Sequence, residues 1–90
     1  MKSSVTAGFR KLLAALPEKT QQKTAEAYAL WQANPNHPSL EFKRIVGATD
    51  VLYSVRIDLY YRALAYREEN HYRWFWIGAH AEYDKLLSFL

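Results

Sequence analysis

The stretch Val51-Leu52-Tyr53-Ser54-Val55-Arg56-Ile57-Asp58 decides the fold. Val51, Tyr53, Val55 and Ile57 alternate with Leu52, Ser54, Arg56 and Asp58, the period of two that marks a half-buried strand. Residues 60–67 continue the pattern, with Tyr61, Ala63 and Ala65 on one face and Tyr60, Arg62, Leu64 and Tyr66 on the other. Downstream, Glu68-Glu69-Asn70 predicts a polar turn in which Asn70 can take a left-handed backbone. His71 to Ile77 reads as a last, ring-rich strand broken by Gly78, and Ala81 to Leu87 as a short helix turning Tyr83, Leu86 and Leu87 inward. Upstream, Phe42, Ile45 and Val46 suggest a strand near residues 41–46, closed by Gly47. Consecutive strands of this kind pair as an antiparallel meander.

The first third reads as helix. Val5, Phe9, Leu12, Leu13 and Leu16 form one apolar stripe, and Ser3, Ser4 or Thr6 can cap its start. Pro17 ends that element and suits the first turn of the next, with Glu18 at the positive end of the helix dipole. The second helix runs from Pro17 to about Ala33, offering Ala25, Ala27, Tyr28 and Trp31 to a core, and Pro35 stops it. Residues 34–39 are loop. The order helix, helix, strands, helix predicts an α+β domain over residues 1–90, a helical hairpin packed on a small antiparallel sheet with a short C-terminal helix.

Composition narrows the functional classes. The 90 residues include 3 Trp, 7 Tyr and 4 Phe, enough bulky rings to build a core without covalent staples. With 0 Cys there is neither a disulfide framework nor a thiolate nucleophile or metal site. Apolar runs such as Trp74-Phe75-Trp76-Ile77 fall far short of the ~20 residues of a bilayer span. Met1-Lys2 is not followed by the apolar stretch of a secretory signal, so the expectation is a soluble, cytoplasmic chain without a membrane partner. A net charge of +3 permits a polyanionic partner without requiring one.

Chemistry concentrates in two places. Arg56 and Arg62 fall on one face of neighbouring strands, where two planar guanidinium forks can grip one phosphate. Rings lie beside them, and the window Tyr53–Trp76 holds 8 of the 14 aromatic residues. Residues 41–73 carry six Lys/Arg against five Asp/Glu, so the pattern equally describes a solvated sheet face above an aromatic core. The second place is Gly78-Ala79-His80-Ala81-Glu82-Tyr83. A histidine can titrate near neutrality and transfer protons, and Tyr83, three residues on, shares its helical face. The same two residues also read as a helix cap and a packed ring. His37, His71 and His80 lack ligand spacing, which predicts no metal and no cofactor.

Several segments, in order, resemble the RelE/ParE superfamily of bacterial toxin–antitoxin toxins over residues 5–88. They are Phe9 to Pro17, Asn34-Pro35 through Pro38-Ser39-Leu40 with Phe42-Lys43, Tyr53-Ser54-Val55-Arg56, Tyr61-Arg62-Ala63-Leu64, and Trp76 to Asp84. The resemblance implies a metal-independent endoribonuclease that cuts translated mRNA, often on the ribosome, and is neutralised by a cognate antitoxin. Such enzymes drive the ribose 2′-hydroxyl onto the adjacent phosphate, leaving a cyclic phosphate and a 5′-hydroxyl. By position it implies that Arg56 and Arg62 hold the scissile phosphate and that His80 acts as general acid or base. Tyr83 would orient or stack a nucleotide, while Lys43, Arg44, Ser54 and Tyr60 would contact RNA. Ser54 stands where RelE has a second lysine, and Asp58-Leu59 replaces a turn that many relatives make with glycine. Asp58 is placed to pair with a nearby arginine. ParE-type toxins share the fold but poison DNA gyrase, so a gyrase inhibitor and an inactive antitoxin-binding copy are the alternatives.

Overall fold

The computed structural model describes residues 2–47 and 51–89. Among them the elements run β1 (Lys2–Val5), α1 (Ala7–Ala14), α2 (Glu18–Ala33), a 3-10 turn (Pro38–Leu40), β2 (Lys43–Val46), β3 (Val51–Arg56), β4 (Tyr61–Glu68), β5 (His71–Ala79) and α3 (His80–Leu87). The strands form one sheet in the order β1-β5-β4-β3-β2. Strands β2 to β5 pair antiparallel as the expected meander, and β1 adds a parallel edge on β5.

That edge is the main departure from the sequence reading, which placed Val5 in the first helix. Lys2–Val5 is only four residues long, too short for alternation to declare itself. It is held by pairing with a strand nearly seventy residues away, Val5 opposite Trp74. Thr6, in extended backbone, then accepts the Phe9 N–H at 3.1 Å and opens α1, while Ser3 and Ser4 stay in the strand. Ser3 Oγ hydrogen-bonds the Tyr28 hydroxyl of α2, and Ser4 Oγ lies 2.8 Å from His71 Nε2.

One sheet face is packed against the hairpin. Trp31 of α2 is 1% exposed and meets Phe42, Tyr72 and Trp74 edge-on at centroid distances of 5.6, 5.3 and 5.2 Å. Such geometry suits ring quadrupoles, each pair adding about 0.5–1.5 kcal/mol beyond area burial. Ala63 and Ala65, buried on the central strand, leave the height that the indoles fill. Ala25, Leu12 and Leu86, expected inward, are exposed.

Two local features redirect the other face. The register of β4 on β5 shifts between Leu64, opposite Trp76, and Ala65, opposite Trp74, so Phe75 is an extra residue. Strict alternation from Tyr72 and Trp74 would put Trp76 in the core. The bulge instead sends Ile77 into the core and Trp76 to the opposite face. Gly78 does not break the strand as the sequence suggested; it pairs with Arg62 inside β5, and no glycine among the described residues has a positive φ. The left-handed residue of the β4–β5 turn is Glu69, with φ 54°, rather than Asn70.

Candidate functional site

The face opposite the hairpin is built in cross-strand rows. Lys43, Ser54, Leu64 and Trp76 make one row; Arg56, Arg62 and Gly78 make the next. Directly opposed residues hold their Cβ atoms about 4.5–5.5 Å apart. The two arginines are therefore neighbours, as expected. Like charges so placed repel, and each is held by an acceptor of its own.

Arg56 Nη1 lies 3.2 Å from Glu41 Oε2, an ion pair open to solvent. Glu41 follows the Pro38–Leu40 turn in left-handed backbone, φ 43°. Arg56 also borders a depression of about 380 Å³, lined by charged Lys23, Glu26 and Asp58 together with apolar Leu30, Leu40 and Ile57. Arg62 Nη1 donates to the carbonyls of Asp58 at 2.6 Å and Tyr61 at 3.1 Å. This ties the guanidinium to the β3–β4 turn through one nitrogen.

Asp58 builds that turn without glycine. Its Oδ1 accepts from the N–H groups of Tyr60 at 2.8 Å and Tyr61 at 3.0 Å. Its Oδ2 lies 3.4 Å from Lys23 Nζ, so the carboxylate pairs with a lysine of α2 instead of an arginine. Tyr60, 70% exposed, stands at the turn.

His80 lies two residues beyond Gly78. Its N–H donates to the Tyr60 carbonyl at 2.7 Å, extending the ladder as the chain enters α3. Ala79, and not His80, is the N-cap. His80 Nδ1 sits 3.0 Å from Asp84 Oδ2, one helical turn on, and both side chains are open to solvent. A carboxylate on Nδ1 favours the tautomer that leaves Nε2 as the reactive nitrogen. The i, i+4 spacing of His80 and Asp84 is the sequence signal of this pair.

The structure does not bring the other expected contact residues together on one open surface. Tyr83 is 4% exposed and its hydroxyl donates to Ser54 Oγ at 3.0 Å; Ser54 is 1% exposed. This buried pair anchors α3 across the sheet, satisfying two polar groups that would be costly alone. Both side chains are thus turned toward each other beneath α3 rather than toward solvent. Lys43 and Arg44 are both exposed but on opposite faces, Lys43 opposite Ser54 and Arg44 opposite Tyr53. Only Lys43 shares the face of Arg56 and Arg62.

At the far end of β4, Arg67 Cζ lies 5.6 Å from the Tyr72 ring centroid. Hydrogen bonding with Tyr53, and then the proximity of Tyr72, raises its pKa above the usual guanidinium value. A second, apolar cavity of about 250 Å³ lies between the hairpin and the sheet, lined by Phe9, Leu13, Tyr28, Trp31, Ile57 and Trp74 among others. Among the described residues, no three His, Asp or Glu side chains converge, and no helix is long and apolar enough to cross a membrane.

A family model described as the ParE-like toxin domain matches residues 18–85. Among solved structures, the fold is similar to YafQ from Escherichia coli strain BL21(DE3), with TM-score 0.72 and 10% identity, covering 91% of this chain and 96% of that one. It is similar to a chain of the archaeal RelE–RelB complex from Pyrococcus horikoshii OT3, with TM-score 0.67 and 16% identity, covering 87% and 92%. It is also similar to YoeB, solved as a dimer from Staphylococcus aureus, with TM-score 0.59 and 15% identity, covering 82% and 90%. At these identities the likeness is one of fold. No curated protein sequence matches the chain significantly.

Proposed function

We propose, from the premise that this chain belongs to the family of ParE-like toxin domains, that it is an endoribonuclease toxin acting on mRNA and restrained by an antitoxin protein. The observation that carries the reading is the row in which Arg56 and Arg62 stand side by side, with His80 at the end of the adjoining strand.

In this mechanism the two guanidinium groups bind the non-bridging oxygens of one phosphodiester. Their charge is worth most when a fifth oxygen joins phosphorus and negative charge accumulates. The ribose 2′-oxygen loses its proton and bonds to phosphorus. The bond from phosphorus to the 5′-oxygen breaks, and that oxygen takes up a proton. The products are a 2′,3′-cyclic phosphate and a 5′-hydroxyl. His80 Nε2 is the proton-transfer group, with Asp84 on Nδ1 as a positioning residue. Lys43 extends the cationic face along β2, and Tyr83 with Ser54 holds α3, and so His80, in place. The ion pair between Arg56 and Glu41 is open to solvent and worth little, so a phosphate can displace the carboxylate. The likeness to a chain from a complex of RelE with RelB supports an antitoxin partner for this one.

The test is expression in bacteria, with and without the adjacent small reading frame, while mapping transcript 5′ ends. The expected result is new 5′-hydroxyl ends within translated messages, absent in the Arg62→Ala variant and suppressed by the partner. Altered plasmid supercoiling with intact RNA would replace this reading with gyrase inhibition. Neither effect, with a captured partner, would leave only an antitoxin-binding domain.

A further inference from the structure

The row that holds the two arginines ends on a glycine, and the reason is an indole. A Cβ built on Gly78 would lie 2.5 Å from Trp76 Cζ2 and 2.8 Å from Cη2, closer than such atoms ever come. The six-membered ring of Trp76 therefore lies over the Gly78 α-carbon, beside Arg62 in the next strand. Gly78 has no positive φ, so the backbone does not require glycine; the ring does. Trp76 is half-buried, while Trp31 and Trp74 are sealed in the core.

We infer that Trp76 is the platform on which an RNA base next to the scissile phosphate stacks, an inference that rests on the ribonuclease reading above. The bulge at Phe75 delivers the ring to the arginine face, and Gly78 seats it there. The other rings suit the task less. Tyr83 is buried under α3, and Tyr66 packs with Phe75 at 5.7 Å, beyond the Arg62 row along β4. Tyr60 stands at a turn and is 70% exposed, so no packing fixes the plane of its ring as Gly78 fixes that of Trp76. Stacking uses the π-face that every base has, so the ligand is a single-stranded segment recognised with little regard to which base it carries.

The burial of the other two indoles makes the test specific, because a bound base can quench only Trp76 directly. Full-length protein is titrated with a 2′-O-methyl hexanucleotide, which lacks the attacking hydroxyl and cannot be cut, while tryptophan emission is followed. The expected result is saturable quenching in the wild type and loss of the quenched component in Trp76→Phe, with slightly weaker binding. Trp76→Leu and Gly78→Ala, the latter displacing the ring, should each bind about 10-fold more weakly or worse. Circular dichroism and melting identify variants that have lost the fold, and Trp76→Phe, which keeps an aromatic ring at that position, then carries the test. Binding by Trp76→Leu equal to wild type, binding without quenching, or no binding at all would each overturn the inference. Quenching without any cut message would uphold the stacking ring and remove the ribonuclease. Cut message with unaltered Trp76→Leu binding would do the reverse.

Discussion

The two faces of the sheet are made from the same strands and treat their residues in opposite ways. On the hairpin face, Tyr53, Val55, Ala63, Ala65, Tyr72, Trp74 and Ile77 are locked beneath Trp31 and Phe9. On the other face, α3 covers only Ser54 and Leu64 fully, and the row of Arg56 and Arg62 is left accessible in part. Along β3 the contrast is separated by single residues: Val55 is buried in the core, and Arg56 is half-buried on the opposite face. The lesson is that stability is concentrated on one face while the proposed chemistry falls on the other, so a variant can damage one without the other.

Trp31→Ala should damage the hairpin face most severely. Removing the indole at the centre of four rings is expected to cost about 3–5 kcal/mol in urea denaturation, enough to threaten folding of so small a domain. Retained stability would show that the hairpin face is not the structural core. Arg62→Ala should do the opposite. Message cleavage is expected to fall about 10²–10³-fold, while the denaturation midpoint reflects only the loss of about 1 kcal/mol of hydrogen bonding to the turn. A large stability loss would mean that Arg62 is structural. Asp84→Asn probes the exposed pair that orients His80. Such pairs are worth up to about 1 kcal/mol, so single-turnover cleavage should fall no more than about 5-fold, with binding of the uncleavable hexanucleotide unchanged. Glu41→Gln is the mildest. Stability should change by less than about 0.5 kcal/mol, and RNA affinity at low salt should rise slightly as Arg56 is released, read by filter binding.

Much of this was legible along the chain. The alternation of residues 51–58 and 60–67 placed Arg56 and Arg62 on a common face because side-chain direction in a strand is set by parity alone. The helical hairpin followed from Pro17 and Pro35, and the C-terminal helix from its apolar positions. The residues that went astray are those whose fate depends on a distant partner. Ser54 and Tyr83 read from sequence alone as available to RNA, but α3 folds back and joins them. Lys43 and Arg44 form one basic pair in sequence, yet neighbours in a strand point to opposite faces.

By itself, then, the order of residues determined the α+β class, the meander of four strands and the pairing of two arginines, since all of these rest on local periodicity and proline. Tertiary structure alone decided three other things: that β1 joins the sheet, that α3 seals Ser54, and that a bulge at Phe75 turns Trp76 away from the core. Each is settled by contacts between segments far apart in the chain, where the free energy of pairing and burial outweighs any preference a short stretch has of its own.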